Sequence, residues 1–199
     1  MINELEAFEW FRKAADKNDN VALKNVARYY RFGIATDKDE RKALEYYTKS
    51  ANQGYIDAII ELANLYRRGY CTEKNIDKSI KWYEIAISKG HIESMLNLAE
   101  LYTELGDTQK AIHYYKKAAE SGNESAILKL GQIYEEGIGI PKEHNTAVFW
   151  YRKAAANGNE DAKKILKQLG SNWIEDGKVE DGSDESENYD IDDSDLLPF

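Results

Sequence analysis

Residues 126–158 read AILKLGQIYEEGIGIPKEHNTAVFWYRKAAANG. Two apolar patterns follow one another in this stretch, each at helical period. Ala126, Leu130, Gly131 and Tyr134 fall on one helical face, and Trp150, Tyr151, Ala154 and Ala155 fall on another. Gly158 stands where a left-handed turn would end the second helix. The stretch therefore reads as two helices joined by a turn, each too short to bury its apolar face alone.

Working outward, the same pattern repeats along the chain. Aromatic pairs stand at Trp10-Phe11, Tyr46-Tyr47, Trp82-Tyr83, Tyr114-Tyr115 and Trp150-Tyr151, spaced 36, 36, 32 and 36 residues apart. A small or apolar pair follows each, and then Asn18, Gly54, Gly90, Gly122 or Gly158. A second ladder of Tyr30, Tyr66, Tyr102 and Tyr134 keeps the register, with Ala22, Ala58, Ser94 and Ala126 upstream. Between them lie Val26, Leu62, Leu98 and Leu130, each followed by Ala27, Ala63, Ala99 or Gly131. The spacing predicts A helices near 21–32, 57–68, 93–105, 125–136 and 160–169. It predicts B helices near 3–17, 39–53, 76–89, 108–121 and 144–157. Stacking such pairs makes one continuous core, in which small residues permit close approach and aromatic rings fill the wider gaps. The aromatic ladder is accordingly expected to be core rather than a ligand track.

The A-x-x-x-L-[AG]-x-x-Y-x-x-G pattern in AIIELANLYRRG (58–69) and AILKLGQIYEEG (126–137), followed by GIGIPKEHNTAVFWYRKAAANG (137–158), resembles the Sel1-like repeat, a relative of the tetratricopeptide repeat. The resemblance covers about 1–170. It implies an all-α fold, a right-handed α-solenoid of helix pairs, with a concave face lined largely by A helices. It also implies protein–protein adaptor work. TELGDTQKA (103–111) is four residues short and closer to a tetratricopeptide turn. On the A helices, Asn25, Arg28, Glu61, Asn64, Asn97, Glu100, Lys129 and Gln132 lie outside the apolar stripe and form the candidate groove. Such amides and mixed charges suit an extended peptide backbone, or serve as a solvated face.

Composition excludes several classes. Among 199 residues the longest apolar run is a few residues, so no transmembrane helix is expected. The acidic, amphipathic start is not a secretory signal, and the single cysteine, Cys71, permits no internal disulfide; a cytoplasmic protein is expected. His91, His113 and His144 share no repeat position, so neither a metal site nor catalysis is expected. Cys71 lies in an A-to-B loop with no oriented base in view. GIGIP lacks the Gly-Lys-Ser/Thr of a phosphate loop. No cofactor is expected. Cysteine-rich relatives associated with β-lactams carry paired cysteines that this chain lacks.

The net charge of −9 is unevenly spread. Residues 171–199 hold eleven Asp or Glu and one Lys, which leaves 1–170 near neutrality. Direct nucleic-acid binding is therefore not expected. The helical period stops at Ser171, and the segment has the composition of a flexible, disordered acidic tail, with Trp173 and Ile174 expected to cap the last helix. Its end, Asp192, Asp193, Ser194, Asp195, Leu196, Leu197, Pro198, Phe199, resembles the C-terminal tip of bacterial single-stranded DNA-binding proteins. There an acidic run precedes Ile or Leu, Pro and Phe; here Leu196 replaces an expected aspartate and Ser194 interrupts the run. The resemblance implies a docking tip for replication, recombination and repair enzymes. Phe199 would enter an apolar pocket while Asp192, Asp193 and Asp195 meet a basic rim. Three functions stay open: an adaptor docking through the tip, an immunity or inhibitor protein binding a toxin or nuclease through the groove, and self-docking of the tail that autoinhibits or oligomerises the chain.

Overall fold

The computed structural model describes residues 3–170. The expected tail, its tip and the Trp173–Ile174 cap lie outside the described residues. Among the described residues the chain forms ten helices and no strand. They are α1 (Glu4–Ala15), α2 (Asn20–Phe32), α3 (Glu40–Asn52), α4 (Ile56–Arg68), α5 (Ile76–Ser88), α6 (Glu93–Glu104), α7 (Thr108–Glu120), α8 (Glu124–Glu136), α9 (His144–Ala156) and α10 (Glu160–Gln168). Each boundary falls within two residues of the expected one. Even-numbered helices are the A type and odd-numbered the B type. The tightest packing is within units, α2 on α3, α4 on α5, α6 on α7 and α8 on α9. Each B helix also packs on the next A helix, which builds an α-solenoid.

Local chemistry starts and stops the helices. Asp39, Asn75 and Asp107 each accept the backbone N–H three residues on, at 2.9, 2.9 and 3.1 Å, and so cap α3, α5 and α7. Asp19, Asn123 and Asn159 cap α2, α8 and α10 in the same way. At the B-to-A turns, Asn18 holds φ 60° and the equivalent glycines hold φ 84–92°. That is the left-handed conformation for which these residue types are suited. In the short unit α6 passes to α7 through 105–107 alone, whereas 33–39 join α2 to α3.

The A-helix stripe is the core: Ala22, Val26, Ala27 and their equivalents through Gly131 are buried. So are the second members of the aromatic pairs, Tyr47, Tyr83, Tyr115 and Tyr151. Of the first members, Trp150 is buried while Tyr46, Trp82 and Tyr114 are half-buried. Tyr46 stacks on Tyr30 at 5.8 Å and Tyr114 on Tyr102 at 5.7 Å, each on the A helix of its own unit. Trp10 departs from the expected core role and is 70% exposed. Among the described residues α1 has no preceding A helix to supply that stacking partner. For the same reason Ala7, Phe11 and Ala14 stay partly open where Ala43, Tyr47 and Ser50 are buried.

Candidate functional site

Four buried tyrosines carry the geometry of the A-helix layer. Each rises from a B helix, and three of them bring the hydroxyl to a side chain on the A helix of their own unit. Tyr47 meets Arg31, Tyr83 meets Arg67 and Asn64, and Tyr115 meets Thr103. Tyr151 lies in the field of Glu135 and Glu136. Repetition fixes the phenol's place while the residue at the matching A-helix position changes from Arg31 and Arg67 to Thr103 to Glu135.

The arginines also tie successive A helices together. Arg31 donates to Glu61 at 2.9 Å, from α2 to α4. Arg67 makes a bidentate pair with Glu104, Nη2 to Oε1 at 2.5 Å and Nε to Oε2 at 3.2 Å, from α4 to α6. Glu100 stands 3.9 Å from the same guanidinium. The Arg67 hydrogen bond holds the Glu104 carboxyl below its ordinary range. Burial, helped by Glu61, pushes the Tyr47 phenol up to about 12, although Arg31 opposes it. Burial and the two glutamates push Tyr151 up to about 12.

The eight candidate groove residues lie on α2, α4, α6 and α8 at two equivalent positions per helix, and their roles differ. Glu61 is engaged by Arg31 and Asn64 by the Tyr83 hydroxyl, at 2.6 Å. Asn25 donates to the Val21 carbonyl of its own helix at 2.9 Å. Glu100 leans on Arg67. Among the described residues Arg28, Asn97, Lys129 and Gln132 make no side-chain hydrogen bond or ion pair, and Arg28 and Lys129 are exposed. Arg31, Arg67 and Glu104 were not singled out by the sequence reading. Their signal is the 36-residue interval from Arg31 to Arg67, which the aromatic ladder overshadows.

Charge is segregated along the layer. Helix α2 carries Lys24, Arg28 and Arg31 and no acid, whereas α6 carries Glu93, Glu100 and Glu104 and no base. Where α2 and α4 end, a cavity of about 400 Å³ is lined by Arg31, Phe32, Lys38, Glu40, Tyr70 and Cys71. Phe32 is 59% and Tyr70 50% exposed. The Arg31 guanidinium lies 4.9 Å from the Phe32 ring centre and 5.9 Å from that of Tyr70. Burial first, and Glu40 second, push the Cys71 thiol up, the opposite of an activated nucleophile.

The three histidines have separate structural surroundings. His91 meets Ser94 at the start of α6, His113 packs on the Tyr114 ring, and His144 lies 3.3 Å from Glu135. Among the described residues no group of three or more His, Cys, Asp or Glu is placed to hold a metal ion. No described helix is long and apolar enough to cross a membrane.

The Sel1 repeat family model matches the chain five times, over 2–19, 20–55, 56–91, 92–123 and 124–159. A Sel1 repeat protein from Oxalobacter formigenes is 33% identical over 83% of this chain and 69% of that one, with a TM-score of 0.66. The protective antigen c5321 of uropathogenic Escherichia coli, which displays an SLR fold, is 31% identical over 87% of this chain, with a TM-score of 0.67. This chain spans only 38% of that antigen's length. No curated protein matches the sequence.

Proposed function

The chain belongs to the Sel1 repeat family, and from that premise we propose that it is a non-enzymatic adaptor whose A-helix layer receives a partner protein. The observation that carries the reading is the row of A-helix side chains with its charge segregated, basic on α2 and acidic on α6 and α8. Buried tyrosines hold that row in place from below, so it presents a rigid pattern of donors and acceptors. Such a row suits an extended segment, whose backbone amides pair with Asn97 and Gln132 while its charged side chains read the gradient. Rigid placement lowers the ordering cost of binding.

The finer part of the proposal concerns 192–199. The acids Asp192, Asp193 and Asp195, with Leu197, Pro198 and Phe199, engage proteins that recognise the tips of single-stranded DNA-binding proteins. The support is the residue pattern itself. The test is binding of the full chain to such proteins, with Phe199 present and deleted. Binding that needs Phe199, weakens with salt and competes with the native tip is the expected result. Partner recovery unchanged by the deletion overturns the tip reading. In that case Arg28→Glu and Lys129→Glu decide whether the A-helix layer alone does the binding, as an inhibitor would require.

A further inference from the structure

The cavity at the ends of α2 and α4 differs from the rest of the layer in joining exposed aromatic rings to cations. Phe32 and Tyr70 offer apolar surface to solvent, with Arg31 laid across both. Lys38 is satisfied by Glu40 at 2.7 Å and Arg31 by Glu61. Next to the lining residues in sequence stand Arg28, one turn before Phe32, and Arg68, two residues before Tyr70 and at the place in α4 that Phe32 holds in α2. Neither makes an ion pair among the described residues, and both are exposed. A ligand for this place needs carboxylates beside large apolar side chains.

The sequence after the described residues has that chemistry. It carries Asp190, Asp192, Asp193 and Asp195 next to Leu196, Leu197 and Phe199. We propose that segment 190–199 docks on the Phe32–Tyr70 cavity of its own chain. Its acids lie against Arg28 and Arg68 and its apolar side chains over the two rings. This rests on the reading that the A-helix layer binds protein, and it adds that the layer is regulated by the chain itself.

Reach permits this end of the layer, and the pairing of cations with exposed rings favours it. From α10 to α4 is three A-helix steps, about 30 Å at roughly 10 Å between neighbouring helices. A coil of some 20 residues spans about 25 Å on average, and the same length fully extended reaches about 70 Å. On α6 and α8 the acids Glu100, Glu104, Glu135 and Glu136 outnumber the single base Lys129, which disfavours an acidic segment on those two helices; on α10 Lys167 offers one exposed cation with no large exposed ring beside it among the described residues. Tethering holds the segment at about millimolar effective concentration, so weak contacts suffice. An external acidic partner would have to displace it.

Cys71 lines the cavity and is the chain's single cysteine, so its alkylation by iodoacetamide reports occupancy in the full chain. At low salt the wild type is expected to react several-fold more slowly than the quadruple variant Asp190→Asn, Asp192→Asn, Asp193→Asn, Asp195→Asn. High salt should remove the difference. The triple variant Leu196→Ala, Leu197→Ala, Phe199→Ala keeps every charge and should also react faster, which a long-range field from the acids alone would not produce. Equal rates for wild type and both variants overturn the proposal, as does protection that fades on dilution. No outside partner is present, so that failure would leave the Phe199-dependent binding test standing.

Discussion

At the scale of a residue, the buried tyrosines are the chemically sharpest feature. A phenol whose proton is lost more readily in the unfolded chain than in the folded one ties stability to pH. Tyr47 has its folded value raised to about 12 by burial, above the ordinary 10. The stabilisation is therefore complete below pH 10 and is lost as pH rises towards 12. Tyr151 has the same sign and a similar size. Tyr83 and Tyr115 are raised too. Denaturant midpoints measured from pH 8 to 11.5 should fall steeply above pH 10, and more gently in Tyr47→Phe. A profile as steep in Tyr47→Phe as in wild type would refute the assignment to this phenol. The identity of these tyrosines as core was legible from their 36-residue register. The surroundings of their hydroxyls were not, because Arg31, Thr103 and Glu135 share a place in the fold while differing in chemistry. Trp10 was misplaced for a related reason: a repeat register reports what a position contacts only when the neighbouring unit is there to contact it.

At the scale of an element, α8 packs on α9 with no room for a side chain at Gly131. Gly131 occupies the position held by Ala27, Ala63 and Ala99 in the earlier units. A methyl group there would come within 2.6 Å of the Tyr151 ring. Alanine improves helix propensity by about 1 kcal/mol. Overpacking a rigid ring costs about 1–3 kcal/mol, and Tyr151 of α9 is buried against α8 with little room to swing. The clash wins. Gly131→Ala should lower the urea midpoint and loosen near-ultraviolet signals from Tyr151 and Trp150, whereas Ala99→Gly should also destabilise, by loss of packing. Increased stability of Gly131→Ala would show that the two helices can separate freely. Sequence alone gives "small" at this position, and helix boundaries to within two residues, because both follow from period and turn chemistry. It does not give the distance between α8 and α9, which depends on how several layers of side chains settle together. Nor does it show that Asn25 and Asn64 are spent on internal hydrogen bonds while Asn97 is left open.

At the scale of the whole molecule, the buried residues form three clusters of unequal size rather than one uniform core. The largest runs from α4 to α10, through Leu98, Tyr115, Leu130, Tyr151 and Leu166. A second, smaller one joins α2 to α5 through Tyr47, Ile59 and Leu62. The third ties α1 to α2 around Phe8, Leu23 and Tyr29, and its outer face is the partly open one of Ala7, Trp10, Phe11 and Ala14. In a linear array each unit is held only by its neighbours, so opening should begin where a helix has a neighbour on one side alone. Among the described helices, amide hydrogen exchange should therefore be fastest through α1 and α10, intermediate through α2 to α5 and slowest through α6 to α9. The arrangement has a functional side, because the cation-aromatic cavity of α2 and α4 sits next to one soft end while the acidic α6 lies in the firm middle. A partner seated on the Phe32–Tyr70 cavity should accordingly slow exchange in α1 and α2 far more than in α8. Uniform protection across all ten helices on binding would instead mean that the solenoid responds as one cooperative body.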